Sequence, residues 1–188
     1  MPPKAKFTRE QIAQAALDII RENNCEAVTA RALATKLGSS SCPIFTVYAN
    51  MDEVVEEAIK LAKAIHAQYV QKGLEQQPAF KGVGTQYIQF AKDEPKLFQL
   101  LFMTETEIAS VDNFLPAIDD NYTAILNSVQ VPYGLTERDA KNLYVHLTIY
   151  THGIATLIAR KVVAFTDADI DRMLTEVFVG LLKEIKTK

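Results

Sequence analysis

Apolar residues recur at helical spacing along almost the whole 188-residue chain, whereas alternating apolar and polar stretches bounded by turns are essentially missing. In the first segment Ile12, Ala16, Ile19 and Ile20 form one stripe of the kind that an amphipathic helix buries. The pattern therefore predicts an all-α fold.

Local signals predict where the first two helices begin and end. Thr8 and Gln11 have the spacing of a capping box, and the asparagines at 23–24 predict the end of the first helix. Thr29 is a good N-cap for a short second helix, and Gly38 can take the left-handed conformation that ends it. Two helices are thus expected before residue 39.

The next signals predict a third helix and then a long one. The serines at 39–41 supply caps for the third helix, and Pro43 falls in its first turn, where no N–H is needed. Asn50 with Glu53 predicts the start of a long helix that runs to Gly73. We place a domain boundary at the start of this helix, with residues 1–51 in one domain and 52–188 in the other.

The remainder of the chain predicts further helices. Apolar stripes with flanking Pro and Gly residues delimit helices at 80–93, 96–103 and 114–129, and Thr136 and Thr166 cap two more. All of these lie in the second predicted domain.

Composition and charge narrow the class of protein. With 48% hydrophobic and 23% charged residues the chain is globular, and two cysteines are too few for a disulfide scaffold. Six basic and four acidic residues lie in residues 1–51, a formal charge of +2, against −5 for the remainder. This asymmetry is compatible with a phosphate-facing head, and ordinary scatter explains it equally well. Without a signal-peptide core or a membrane-length apolar run, we expect a cytoplasmic protein with no membrane partner.

The segment from residue 30 to 47 fits a helix-turn-helix. Ala34 is small where two helices would cross, and Gly38 supplies the turn. Ser39 departs from the pattern, because an apolar residue usually packs there. An ordinary corner between two helices is the alternative interpretation. The small core of the motif comprises Leu33, Leu37, Ile44 and Val47.

Longer stretches resemble a known family. FTREQIAQAALDII and VTARALATKLGSSSCPIFTVYANMDEVVEEA, between Phe7 and Ala58, resemble the DNA-binding head of the tetracycline-repressor (TetR/AcrR) family. YIQFAKDEPKLFQLLF and YTHGIATLIA resemble the regulatory domain of a subgroup with a Trp-His-Gly signature, which reads Tyr-Thr-His-Gly here.

The resemblance implies a fold and a function. It implies a three-helix helix-turn-helix domain followed by a helical regulatory domain, about nine helices in all. It also implies a homodimer that binds a palindromic operator in double-stranded DNA and is released by a small-molecule effector. The matching DNA-binding positions are Thr29, Arg31, Ser40, Ser41, Cys42, Pro43, Phe45 and Thr46.

Three departures from the family pattern bear on DNA affinity. Phe45 stands where the family usually has Tyr, Val47 where it often has His or Tyr, and Met51 where Lys is common. Each usual residue can bind phosphate and the replacement cannot, so we expect weaker, less salt-sensitive binding. A flexible N-terminal arm with Lys4, Lys6 and Arg9 could compensate.

The effector site is predicted from aromatic and polar side chains on the later helices, which the resemblance implies enclose the ligand cavity. Most such stripes are simply core, but a few tyrosine hydroxyls among apolar walls suit an apolar or aromatic effector. His66, His146 and His152 lack metal-ligand spacing, and no nucleophile motif is present. We therefore expect no metal, no cofactor and no enzymatic activity. The candidate ligand residues are Tyr87, Phe90, Phe98, Phe102, Met103, Tyr122, Tyr144 and His152.

The dimer is expected to form through the last two long helices. Two alternatives to a repressor remain: a helical ligand-binding or protein-interaction module with a degenerate DNA-binding head, and a small all-α enzyme. The candidate interface residues are Gly153, Ile154, Leu157, Ile158, Phe178, Leu181 and Leu182.

Overall fold

A computed structural model describes residues 6–104, 115–116 and 120–187. All regular structure in these ranges is helical, which confirms the all-α prediction. Two short 3₁₀ turns lie at Cys25–Ala27 and Ile44–Thr46. The eight α-helices of the described residues are α1 (Arg9–Glu22), α2 (Ala30–Lys36), α3 (Met51–Leu74), α4 (Ala79–Asp93), α5 (Pro95–Phe102), α6 (Tyr122–Tyr133), α7 (Glu137–Ala159) and α8 (Asp167–Thr187).

Apart from the serines at 39–41, the predicted helix caps are formed by the residues that the sequence indicated. At the start of α1 the Thr8 hydroxyl accepts from the Gln11 backbone N–H at 3.2 Å, and the Gln11 side chain accepts from the Thr8 N–H at 2.9 Å. Asn50 caps α3 by accepting from the Glu53 N–H at 3.0 Å. Thr136 and Thr166 accept from the third residue after them, at the starts of α7 and α8. These short-range interactions fix where four helices begin.

Gly38 ends α2 in the left-handed conformation, with φ at +60°. The Ser39 N–H donates to the Ala34 carbonyl at 2.9 Å, and the Gly38 N–H donates to the Thr35 carbonyl at 3.2 Å. This pair of bonds is a Schellman motif, and it satisfies carbonyls that would otherwise lack a partner at the end of the helix. The predicted turn at Gly38 is confirmed.

The predicted third helix is reduced to a single 3₁₀ turn, and its serine caps are not used. Pro43 immediately precedes the turn, which has no side-chain cap. Ile44, Phe45 and Thr46 are all poor helix formers. In addition, the Thr46 hydroxyl donates to the Pro43 carbonyl at 2.7 Å, a local bond that competes with helical hydrogen bonding.

The described residues form two compact units. The first contains those of Met1–Ile65 and of Lys96–Thr104, and the second those of His66–Pro95 and of Glu105–Lys188. In the first unit α1 packs against α2 and the first 3₁₀ turn. The boundary at residue 51, which would separate two functional domains, stays a prediction.

The second unit is built around α7. This helix packs against α4, α6 and α8, and the side chains of Leu143, Ala140 and Val129 are fully buried in the resulting core. Ion pairs from Lys81 to Asp171 and from Lys92 to Asp167 connect α4 to α8.

Helix α6 differs from its predicted bounds at 114–129. Phe114 lies outside the described residues, and the helix continues through Pro132 to Tyr133. Pro132 lies in the last turn of the helix, where its missing N–H removes one bond. Gly134 then ends the helix in the left-handed conformation.

Replacement of Gly38 tests the turn. We expect Gly38→Ala to lower the free energy of unfolding by about 1 kcal/mol, because a β-carbon disfavours positive φ. Gly38→Asn is the matched control and should lose less, since asparagine tolerates this conformation. Urea unfolding followed by circular dichroism measures both. An alanine variant as stable as the unsubstituted protein would contradict the assignment.

Candidate functional site

The eight predicted DNA-binding residues lie on the surface of the first unit. Thr29 and Arg31 are exposed at the start of α2. We call the remaining six the recognition surface, and none of them is buried: Ser40, Ser41, Cys42, Pro43, Phe45 and Thr46. Of the predicted small core, Leu33 and Ile44 are fully buried, whereas Leu37 and Val47 are half-buried.

Arg31 has an uncommitted side chain. Among the described residues 6–50 it is the basic residue whose side chain has neither a hydrogen bond nor an ion pair. Thr29 caps the same helix by accepting from the Ala32 N–H at 3.1 Å. The Arg31 guanidinium is therefore available to an external acceptor.

The sequence suggested that Arg9 belongs to a flexible arm. In the structure its side chain is instead held by several contacts. Its guanidinium donates to the Val47 carbonyl at 3.0 Å and lies 4.1 Å from the centre of the Tyr48 ring. The buried Tyr48 in turn donates its hydroxyl to the Arg9 carbonyl at 2.9 Å. The carboxylates of Glu53 and Glu57 lie 3.9 and 3.8 Å from the guanidinium. Arg9 thus joins α1 to the residues that follow the recognition surface.

The other basic side chains in residues 6–50 have partners there. Lys6 donates to the Ser39 hydroxyl at 3.0 Å, which gives the unexpected serine a polar contact. Lys36 pairs with Glu22, and Arg21 lies 3.8 Å from Asp18. Lys4 lies outside the described residues. These pairs are solvent-exposed, and such pairs break at a cost of about 1 kcal/mol or less.

The recognition surface carries no charged side chain, and its largest side chain is apolar. Phe45 keeps 46% of its surface exposed, whereas its neighbour Ile44 is fully buried. The Thr46 hydroxyl donates to the Pro43 carbonyl, so its hydrogen is already used. Cys42 is exposed, while Cys25 is half-buried and burial raises the pKa of its thiol.

The predicted ligand residues do not all fall in one unit. Phe98, Phe102 and Met103 belong to the first unit, where Phe98 is fully buried and its ring centre is 5.4 Å from that of Phe102. Met103 is exposed. The other five residues belong to the second unit.

Tyr87 and His152 form a polar pair in the second unit. The Tyr87 hydroxyl lies 3.0 Å from Nδ1 of His152, within hydrogen-bonding distance. Burial lowers the pKa of the half-buried His152. The buried His66 stands edge-on to Tyr87 at 5.9 Å and to the fully buried Phe90 at 5.2 Å. We call Tyr87, His152, His66 and Phe90 the Tyr87 cluster.

His66 is missing from the sequence-predicted site, although a signal for its burial exists. Ala58, Ala62, His66 and Val70 follow one another at intervals of four residues on α3, and all four are buried. The stripe predicts that the imidazole points inward with its neighbours.

Tyr122 and Tyr144 contribute to the core of the second unit. Their rings are nearly parallel, with centres 6.1 Å apart, and Tyr144 also stands edge-on to Phe80 at 5.6 Å. Tyr144 is buried, whereas Tyr122 is half-buried. Such offset and edge-on pairs stabilise a core beyond their simple burial.

The candidate dimer residues differ in exposure. Ile154 is only 4% exposed, and Phe178, Leu181 and Leu182 pack partly against their own core. Gly153 and Leu157 are exposed and Ile158 is half-buried. Ile149 on α7 and Val179 on α8 are 58% and 55% exposed, although neither was among the predicted interface residues. The sequence spacing could have added Ile149 to the candidate interface, because it precedes Gly153 by four residues and Leu157 by eight.

Membrane-spanning and metal-binding features are both missing from the part of the chain that the structure describes. None of the helices there is both long and apolar enough to cross a membrane. The same residues hold no group of three or more His, Cys, Asp or Glu side chains arranged to bind a metal ion.

The lowered pKa of His152 predicts a pH-dependent stability. The unfolded chain takes up a proton near the ordinary histidine value of 6.5, whereas the folded protein resists it. The stability contributed by the neutral imidazole is therefore complete above pH 6.5 and is lost as the pH falls below it. When the pH is lowered from 7.5 to 5.5, we expect the free energy of unfolding to fall less for His152→Gln than for the unsubstituted protein.

Urea titrations at the two pH values measure this difference. His146→Gln is the matched control, since His146 lies on the same helix and is exposed. It should lose as much stability on acidification as the unsubstituted protein. Equal losses for all three proteins would refute the role assigned to His152.

Comparison with known proteins gives one family. The profile of the family described as "Tetracyclin repressor-like, C-terminal domain" matches residues 80–181, more than half of the chain. The match begins in α4 and ends in α8. No curated protein matches the chain.

Proposed function

Because the chain belongs to the tetracycline-repressor family of transcriptional regulators, we propose that it is a homodimeric DNA-binding repressor released from a palindromic operator by a small effector. The proposal assigns operator binding to residues 1–51 and effector binding and dimerisation to 52–188. It also places the protein in the cytoplasm and gives it no enzymatic activity.

The observation that carries the proposal is the exposed and uncommitted guanidinium of Arg31 at the start of α2. A helix-turn-helix places its second element in the major groove of DNA. Arginine donates two hydrogen bonds to the O6 and N7 atoms of guanine, the commonest specific contact in that groove. Arg31 is exposed on α2, and the turn at Gly38 connects α2 to the recognition surface.

The dimer would cover an exposed apolar stripe on α7 and α8. Ile149, Gly153 and Leu157 follow one another at helical spacing, and a β-carbon at Gly153 would meet open space. Val179 exposes its side chain on α8. Large exposed apolar side chains at regular spacing are typical of helix pairs that associate.

The Tyr87 cluster supports an effector that is apolar or aromatic and carries one polar group. Phe90 and His66 contribute buried aromatic rings to the cluster, and the Tyr87 and His152 atoms provide a donor and an acceptor. A ligand that replaces this hydrogen bond would keep both groups satisfied, as buried polar atoms require.

Regulation would follow from a shift between two populations of dimers. In one, the two recognition surfaces lie about 34 Å apart, one turn of DNA, and both dock together. Effector binding favours the other population, in which one surface at most can dock. Affinity then falls because the high effective concentration of the second surface is lost.

One observation favours a second candidate, a helical ligand-binding or protein-interaction module with a degenerate head. The recognition surface has no charged residue, and Arg9 is held within the head. Such a protein would bind a small molecule or another protein without binding DNA.

Selection of DNA from a random pool by the purified full-length protein separates the candidates. We expect a palindrome to be recovered and Arg31→Ala to weaken its binding by about tenfold or more, because a bidentate base contact is lost. Arg138→Ala, an exposed arginine on α7, is the matched control and should bind as tightly as the unsubstituted protein. Failure to select any duplex at low salt would favour the second candidate.

The predicted interface is tested by a charge placed on its stripe. Leu157→Glu should shift the protein from dimer to monomer in sedimentation velocity, because a carboxylate would be buried without a partner. Val131→Glu is the control: Val131 is more exposed than Leu157 and lies on α6. A dimer that survives both substitutions would place the interface elsewhere.

A further inference from the structure

We propose that Phe45 reads the C5-methyl group of thymine in the operator, and so determines specificity. This inference rests on the proposed function, since it names the base chemistry that the recognition surface selects. The sequence indicated that Phe45 loses the phosphate contact of the usual tyrosine. The inference adds a direct contact from Phe45 to a base.

The first argument is the exposure of the Phe45 ring. Ile44 and Tyr48 bury their side chains on one side of the chain, while Phe45 leaves 46% of its surface in water. The ring has no aromatic or cationic partner within the described residues. Covering a large exposed apolar side chain with another apolar group lowers the free energy.

The second argument is the shortage of polar groups around that ring. From residue 42 to 46 the side chains are those of Cys, Pro, Ile, Phe and Thr, none of which carries a charge or an amide. The Thr46 hydroxyl donates its hydrogen to the Pro43 carbonyl. The bidentate donors and acceptors that read adenine, guanine or cytosine are therefore missing from this stretch.

The major groove offers one apolar group that such a surface can read. Thymine alone among the four bases presents a methyl group there, and phenylalanine is among the side chains that contact it. Together with Arg31, which has the chemistry to read guanine, Phe45 would give each half-site a guanine and a thymine contact. This assignment follows from the chemistry of the two side chains and from the exposure of both.

Replacement of thymine by deoxyuridine tests the inference, because it removes the methyl group and leaves every hydrogen-bonding atom in place. Single replacements are made along the palindrome selected by the full-length protein, and affinity is measured by fluorescence anisotropy. At one thymine of each half-site we expect a loss of about fourfold, the effect of exposing one methyl group. Replacement in both half-sites should cost about tenfold or more.

The variants assign the effect to the ring. Phe45→Ala should bind the thymine duplex more weakly and should not distinguish it from the deoxyuridine duplex, whereas Phe45→Leu should retain part of the discrimination. Thr46→Ser tests the competing assignment, because it removes the methyl group of the neighbouring exposed side chain; if the Phe45 ring makes the contact, this variant still distinguishes the two duplexes. Since Phe45 is exposed, circular dichroism should show all three variants folded.

The outcomes separate this inference from the function on which it rests. If a palindrome is selected but no deoxyuridine position changes the affinity, the Phe45 assignment is wrong and the repressor proposal stands. The Phe45 assignment is also wrong, with the repressor proposal intact, if Thr46→Ser rather than Phe45→Ala abolishes the discrimination. If no duplex is selected, both proposals fall.

Discussion

The contact between Arg9 and the residues after the recognition surface is the constraint on which the first unit depends. A single 3₁₀ turn has too few internal hydrogen bonds to hold its own orientation. The Val47 carbonyl and the Tyr48 ring instead receive the Arg9 guanidinium, and Tyr48 returns a hydrogen bond to the Arg9 carbonyl. These reciprocal contacts, with the buried Ile44, tie the turn to the first helix. The orientation of Phe45 is therefore set by a residue 36 positions earlier in the chain.

This arrangement explains which parts of the fold could be predicted. The caps at Thr8, Asn50, Thr136 and Thr166 each depend on residues no more than three positions apart, and the sequence contains that information in full. The extent of the third helix does not depend on local signals alone. Its serines suggested caps, but long-range contacts and the Thr46 hydroxyl determine the conformation.

Helix α7 shows a second limit of prediction from the sequence. Apolar residues occupy more than one side of this helix, so periodicity alone cannot tell which side faces the core of the same chain. Ile154 and Ile149 are equally apolar in the sequence, yet the first is buried and the second is exposed. The same uncertainty affects the ligand residues, since an aromatic stripe has the same appearance whether it lines a cavity or fills a core. The eight DNA-binding candidates, in contrast, are mostly polar or small, and none of them is buried.

The two cysteines differ in exposure, and this difference can be used for chemical labelling. Cys42 is exposed on the recognition surface, whereas Cys25 is half-buried with its thiol pKa raised by burial. A maleimide dye at neutral pH should therefore label Cys42 faster than Cys25, because reagents attack the solvated thiolate form. The natural sequence thus contains its own attachment point for a fluorescent reporter at the surface proposed to meet DNA, without an engineered residue.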